Sequence, residues 1–232
     1  MTSKSEGELD LAERTLASIA AQLPGATAVF RKAKLDFCCG SDVPLKTAAV
    51  EKNLPLDELL SRLTLLKADG ARSAPHDPDE LVPYILTHFH EVHRREVPEL
   101  IRLAKKVEAV HRDHSLVPRG LSDTLDEIGT ELESHMQKEE AVLFPMMLNG
   151  GNPMIRFPIA RMRLEHAEHG ERLHRLEEIA HGFEPPPDAC TTWRALYTGL
   201  HKLVDDLMEH IHLENNVLFP QFADESSDGG DA

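Results

Sequence analysis

The chain has 232 residues, 41% of them hydrophobic, enough for one large domain or two small ones with a buried apolar core. Its 40 acidic residues against 25 basic ones give a formal charge of -15, which repels phosphate backbones and anionic lipid and excludes nucleic acid and membrane surfaces as partners. No apolar run reaches transmembrane length and the opening MTSKSEGELD lacks a basic region followed by an apolar stretch, so the expectation is a cytoplasmic protein.

Residues 1–68 carry short helical patterns, LAERTLASIAAQL, GATAVFRKAKL, PLKTAAVEKN and PLDELLSRLTLLK, interrupted by Pro24, Gly25, Gly40 and Pro55. They predict a small all-helical module. Its chemical feature is the pair Cys38 and Cys39 in FRKAKLDFCCGSD. A disulfide between neighbours closes a strained ring, so the pair reads as two free thiols able to bind metal, accept a nitrosyl or form a reversible bond. The alternative is two small buried hydrophobes. The third cysteine, Cys190, is read as structural, and three cysteines in all make no secreted disulfide framework.

Residues 69–80, within ADGARSAPHDPDE, lack periodicity and form a linker. From 81 to 222 four long periodic segments follow, separated by HRDHSLVPRG, NGGNP and HGFEPPPD, and short connections between four helices make an antiparallel bundle. Gly150 and Gly151 are the expected stop of the second helix and Asp188 the expected N-cap of the fourth. The last residues, 223–232, read ADESSDGGDA and predict a flexible acidic tail.

Alternating steps of three and four number a core stripe on each long helix. The first reads Leu86, His90, His93, Val97, Leu100, Ala104, Val107; the second Leu121, Leu125, Ile128, Leu132, His135, Glu139, Val142, Met146. The third reads Ile159, Met162, His166, His169, Leu173, Leu176, Ala180; the fourth Trp193, Leu196, Leu200, Leu203, Leu207, His210, Glu214, Val217. Each aims metal-capable side chains at the bundle centre. ELESHMQKEEAVLFP (131–145) returns 75 residues later as DLMEHIHLENNVLFP (206–220), and His90 and His93 recur as His166 and His169 at an offset of 76. The bundle therefore reads as a duplicated helical hairpin with a pseudo-twofold axis, and a twofold site needs each ligand twice.

One His-x-x-x-Glu on a helix is weak evidence, because surface pairs at that spacing are common. Four histidines and two carboxylates inside apolar seams are different: burying them costs several kcal/mol, on the order of the usual desolvation penalty, unless they are paired or bound to metal. Glu139 and Glu214 can each bridge two ions, with His90, His135, His166 and His210 as terminal nitrogens and positions left for a small ligand. Iron, manganese and zinc all suit such N/O donors, and a metal-free polar network is the alternative. His93 and His169 are either further ligands or core residues above the site; Glu131 and Asp206 either orient imidazoles or are solvated helix charges. The other histidines, among them His76, His88, His111, His114, His174, His181, His201 and His212, are expected mostly at the surface.

LDFCCG in a helical module, followed by a bundle with SHMQKEEAVLFP and EHIHLENNVLFP, resembles the repair-of-iron-centres proteins, with their hemerythrin-like domain, from about residue 9 to 222. The resemblance implies an all-α fold ending in a hemerythrin-like four-helix bundle. It implies two iron ions per chain, oxo-, hydroxo- or carboxylate-bridged, with ligands at His90, His135, Glu139, His166, His210 and Glu214. It also places acids near the site at Glu131 and Glu165, and adds the thiols Cys38 and Cys39 as chemically active groups. His169 departs from the family pattern. The implied function is repair of iron-sulfur proteins damaged by nitrosative or oxidative stress, with NO or O2 as small ligands; the sequence does not identify the electron donor, and a monomer or homodimer is expected. NO reduction at the irons is an activity it leaves open, and binding or sensing of O2 or NO without repair is the alternative.

Overall fold

The computed structural model describes residues 6–23, 25–37, 42–69 and 74–222. Cys38 and Cys39, residues 70–73 of the expected linker and the expected tail lie outside the described residues. Every regular element among the described residues is helical. No helix among them is long and apolar enough to cross a membrane. Contacts divide the chain into two compact units, Met1–Leu81 with Glu209–Ala232, and Val82–Met208.

The first unit contains α1 (Glu6–Glu13), α2 (Leu16–Gln22), α3 (Ala26–Lys32), α4 (Leu45–Glu51) and α5 (Leu56–Asp69). The pattern LAERTLASIAAQL, expected as one helix, is broken at Arg14 and Thr15. The backbone there pairs sideways instead: the Leu16 N–H donates to Val43 (3.1 Å) and the Leu45 N–H to Arg14 (2.9 Å). Thr15 then caps α2, its hydroxyl accepting from the Ser18 N–H at 3.2 Å. Leu11, Ile19, Phe30, Phe37, Leu45, Leu60 and Leu63 fill the core.

The chain's last helical stretch belongs to this unit. Arg31 pairs with Glu209 at 3.4 Å, the Phe37 ring meets His212 edge-on at 5.6 Å, and the Asn216 amide donates to the Phe37 carbonyl at 3.3 Å. His212, expected at the surface, is therefore a core residue, and its burial pushes its pKa down to about 4. Every residue from His210 to Asn215 is buried, so this stretch keeps no solvent face on which an off-stripe histidine could sit.

The second unit, Val82–Met208, holds most of the long helices, the first half of α6 (Pro78–Ile85) and everything from Glu209 onward belonging to the first. α6 leads through a π turn, Leu86–His90, into α7 (Glu91–Val110); α8 (Leu121–Lys138) leads through a second π turn, Glu139–Leu143, into α9 (Phe144–Leu148). α10 (Arg156–Ile179) follows, then α11 (Thr191–Leu213), whose end passes into a third π turn, Glu214–Leu218. Contacts between α7 and α8 run in opposite senses: Arg94 reaches Glu133, while Glu108 accepts from the Gly120 and Leu121 N–H groups at 2.7 and 3.0 Å and caps α8. α8 and α10 pair the same way, Glu131 with Arg172 and Lys138 with Glu165. Two glycines let α7 lie close to its neighbours. A Cβ on Gly129 would meet Val97 at 2.9 Å and one on Gly199 would meet Leu100 at 2.5 Å.

Gly150 and Gly151 end α9 with positive φ (86° and 72°), their N–H groups donating to Met147 and Met146, as a helix stop requires. Asp188 does not cap α11. The helix opens at Cys190, whose carbonyl accepts from the Arg194 N–H at 3.1 Å, and Asp188 instead meets His114 at 3.3 Å.

The core stripe of α10 runs as expected from Ile159 to Ala180, all seven positions buried. That of α8 holds only to Glu139. Beyond it Val142 is half exposed (50%), and Leu143, Phe144 and Met147 are the buried residues. The π turn accommodates one additional residue, so the stripe slips by one. Before the first π turn the same slip buries Ile85 rather than Leu86.

Candidate metal centre

The second unit brings four of the six expected ligands together. His90 closes the first π turn, His135 lies in the last turn of α8, Glu139 opens the second π turn and His166 lies mid-way along α10. All four are at most 1% exposed. Glu139 Oε1 lies 3.3 Å from His135 Nε2 and its Oε2 lies 3.5 Å from His90 Nε2, so one carboxylate faces imidazoles from two helices. The Nε2 atoms of His135 and His166 are 3.1 Å apart. In the first unit, the end of α11 and the third π turn supply the other two, His210 Nε2 standing 3.0 Å from Glu214 Oε1, both fully buried.

Carboxylates hold two of the imidazoles from behind. His90 Nδ1 donates to Glu140 at 2.7 Å and His135 Nδ1 to Glu165 at 2.9 Å. An ionised carboxylate only accepts, so each contact fixes the proton on Nδ1 and leaves the Nε2 lone pair facing the site. Both acids are held in that state. Burial alone would raise Glu165, but hydrogen bonds from Lys138, His135 and Arg161 outweigh it and hold its pKa down to about 2. For Glu140, too, burial is opposed and outweighed, here by Arg94 and His90, and the net shift is downward. Arg94 bridges Glu140 and Glu133, each at 2.8 Å. The Phe144 ring stacks on His90 with centroids 5.7 Å apart, closing that side with apolar surface.

Glu131 forms its ion pair with Arg172, and Asp206 forms its own with Lys202. His93 and His169 are buried at 2% and 4%. The His169 ring sits edge-on to His135 at 5.1 Å, and its burial pushes its pKa down to about 3. Among the described residues neither belongs to a set of three or more donors able to hold an ion.

Sequence reasoning missed Glu140 and the π turns. The available signal for Glu140 was weak: a second acid beside Glu139 and an arginine four residues after His90. For the π turns it was absent, since the run Val142-Leu143-Phe144 is apolar at every step and cannot report which residue faces inward.

The donor set suits a metal ion. Neutral imidazole nitrogens and carboxylate oxygens are the ligands of iron, manganese and zinc, and a fully buried carboxylate flanked by two oriented Nε2 atoms is costly unless a cation sits nearby.

Residues 82–222 match the model of the hemerythrin HHE cation binding domain, and residues 12–67 match a domain of unknown function (DUF542). A Haemophilus influenzae protein named "Probable iron-sulfur cluster repair protein" is 43% identical over 222 residues, covering 94% of this chain and 100% of its own length. Proteins named "Iron-sulfur cluster repair protein YtfE" from Dickeya chrysanthemi and Escherichia coli O1:K1 / APEC are 44% identical over 212 and 213 residues, covering 90% of this chain and 96% of their own.

Proposed function

The chain belongs to the hemerythrin HHE cation-binding family, alongside the iron-sulfur cluster repair proteins it matches almost end to end, and on that premise we propose that it repairs iron-sulfur clusters damaged by nitrosative or oxidative stress, using a di-iron centre. The observation that carries the reading is Glu139, fully buried, with the Nε2 atoms of His90 and His135 turned toward it by Glu140 and Glu165. Buried donors in each unit, His90, His135, Glu139 and His166 in one and His210 and Glu214 in the other, support two ions. In this reading Glu139 and Glu214 are shared and the four imidazoles are terminal.

When bound, a pair of irons supplies redox-active positions for a small ligand such as NO or O2. The chain's own groups prepare that chemistry. Glu140 and Glu165 keep each imidazole in one tautomer, Lys138 and Arg161 keep Glu165 ionised, and Phe144 excludes water beside His90. Cys38 and Cys39 hold iron or nitrosyl in transit to or from a client cluster; the support is chemical, a thiolate pair being the soft ligand both species favour. The residue before them, Phe37, is anchored on His212 and Asn216, which flank Glu214 in sequence.

Anaerobic addition of NO to the reduced protein tests the reading, with nitrous oxide and iron transfer to an apo-cluster protein followed together. Transfer restoring the cluster is expected. Nitrous oxide at many turnovers without transfer would make the protein an NO reductase instead, and a metal content of one ion per chain would remove the di-iron centre.

A further inference from the structure

One stretch of the second unit departs from the chain's acidic character. Residues 141–164 contain no Asp or Glu, in a chain where 40 of 232 residues are acidic, and they carry Arg156, Arg161 and Arg163. Five of the nine exposed large hydrophobics among the described residues, Val142, Leu148, Met154, Phe157 and Leu164, lie in the same stretch. Single hydrophobics scattered over a surface are ordinary, whereas a concentration of them marks a surface that another molecule covers.

On α10 the apolar pattern is double. Ile159, Met162 and His166 are buried, while Phe157, Ala160, Arg161 and Leu164, at helical spacings of three, four and seven, form a second stripe that is exposed. Met154, at the entry of the helix, Phe157 and Leu164 are each more than half exposed. Arg156 and Arg163, seven residues apart, flank this stripe on one side, and the Arg156 guanidinium lies over the Phe157 ring at 4.8 Å. The stripe also borders the support of the metal centre. Arg161 Nε and Lys138 Nζ each donate to one oxygen of Glu165 at 2.7 Å, and the other oxygen accepts from His135 Nδ1 at 2.9 Å. Two hydrogen bonds thus connect an exposed guanidinium to a candidate ligand imidazole.

We propose that this face of α10, from Met154 to Leu164, is the docking surface of a small acidic electron-carrier protein that reduces the centre. What the carrier does rests on the di-iron reading; where it binds rests on the surface alone. Arginine, methionine and aromatic side chains are enriched where proteins meet, and an acid-free segment with three arginines calls for carboxylates on the partner. The overall charge of -15 opposes a polyanion that extends beyond the patch, as a nucleic acid does. At physiological salt fields fade over about 8 Å, so a compact partner meets chiefly the arginines it touches. A second copy of this chain fits poorly, because a twofold contact through the face sets the arginines against their own copies. A docked carrier stands beside Arg161, Glu165 and His135, a short bonded route inward, and electron transfer falls steeply with distance. Each encounter moves one electron: the carrier's reduced group is oxidised, the centre gains the electron, and no bond forms or breaks.

The probe is a plant-type [2Fe–2S] ferredoxin, acidic and a one-electron donor, and the full-length protein is used both iron-loaded and metal-free. Calorimetric titration reads binding as salt is raised; stopped-flow absorbance reads reduction of the loaded protein by ferredoxin and, separately, by dithionite. The parent is expected to bind ferredoxin and to lose affinity with rising salt. Arg156→Glu combined with Arg163→Glu should weaken binding and slow reduction by ferredoxin at least about tenfold, with iron content and the dithionite rate unchanged. Phe157→Ser combined with Leu164→Ser keeps the charge and should weaken binding to a similar extent, so it decides the matter if the charge-reversed protein misfolds. The control is Arg102→Glu combined with Arg112→Glu, two exposed arginines outside the stretch; it imposes the same net charge and should leave both readouts at the parent level. A parent that takes up no iron sinks the di-iron reading, and ferredoxin binding to that metal-free protein still decides the docking surface. The proposal is overturned by a parent that does not bind ferredoxin, by an equal loss in the control pair, or by self-association of the parent that the Arg156 and Arg163 changes abolish.

Discussion

α8 and α10 run side by side in opposite directions and each contributes one imidazole of the closest pair, His135 and His166, yet they are built differently. α10 continues without interruption from Arg156 to Ile179 and carries His166 on a plain α-helical stripe. α8 stops at Lys138 and changes its turn where Glu139 begins. The difference follows from what each helix must deliver. One terminal nitrogen needs only a stripe position. The α8 side presents Glu139 to two imidazoles and, from the next residue, places Glu140 behind one of them, on the two nitrogens of the same His90 ring. Two consecutive side chains are about 100° apart on a regular helix, so a local change of pitch at this point is the expected accommodation.

The strongest way to break this comparison is to remove the carboxylate. Glu139→Ala should remove most of the iron that the parent protein takes up on anaerobic loading, a loss larger than the roughly 10- to 100-fold affinity cost of losing an orienting partner. Full metal content in this variant, read by elemental analysis, would detach the π turn from metal binding altogether.

Deleting Ala141, an exposed residue inside the π turn, sharpens the comparison further. An unbroken helix would then place Leu143 and Met147 at the stripe positions now numbered 142 and 146, so the core contacts survive. Metal affinity should fall at least about tenfold through misplaced acids, while stability changes by only about 1 kcal/mol. Thermal unfolding that collapses by many degrees would show that the turn serves the fold rather than the site.

Glu165→Gln asks whether α10's contribution is as simple as its geometry. It should weaken metal binding about 10-fold, within the range for lost orienting partners. The metal-free protein adds a pH signature. Because the folded pKa of Glu165 is lowered from 4.5 to about 2, its stabilisation is complete above the ordinary value and is lost as pH falls from 4.5 toward 2. Acid unfolding followed by circular dichroism should lose that segment of its slope in the Gln variant.

The smallest effect is expected at His169, which lies on the unbroken helix and, among the described residues, in no group of donors able to hold an ion. His169→Phe should leave metal content unchanged and shift stability by less than about 1.5 kcal/mol, the usual cost of a shape-conserving core change. Iron loss equal to that of Glu139→Ala would make His169 a ligand and erase the distinction between the two helices.

Much of this was legible in the sequence, because helical periodicity reports burial wherever polar residues mark the opposite face. The stripes of α10 and α11 emerge residue by residue, and the six expected donors are all buried. Legibility fails where that marking stops. Val142, Leu143 and Phe144 are all apolar, so the slip at the π turn leaves no trace in the letters. His212 was misread because a stretch enclosed on all sides has no outer face. The break between α1 and α2 was missed because sideways pairing with residues 43–45 overrides a run of good helix formers. Glu140 and Asp188 show the same limit at the level of single contacts, since which imidazole an acid meets depends on a helix far away in the chain.

The π turns at Glu139–Leu143 and Glu214–Leu218 lie 75 residues apart, the same offset as the ligands that open them. If the two halves descend from one copied hairpin, the inserted residue is older than the copying, and the ancestor was already distorted at its carboxylate. α10 has no counterpart to the turn at Leu86–His90, so that one was gained or lost on one side afterwards. Such an ancestor, with half of the present donors, could have matched the present donor number only by associating with a second copy of itself. On this history the centre began as the seam of a homodimer, and fusion into one chain later freed each half to vary. A synthetic hairpin spanning 82–150 that neither dimerises nor takes up iron would argue against it.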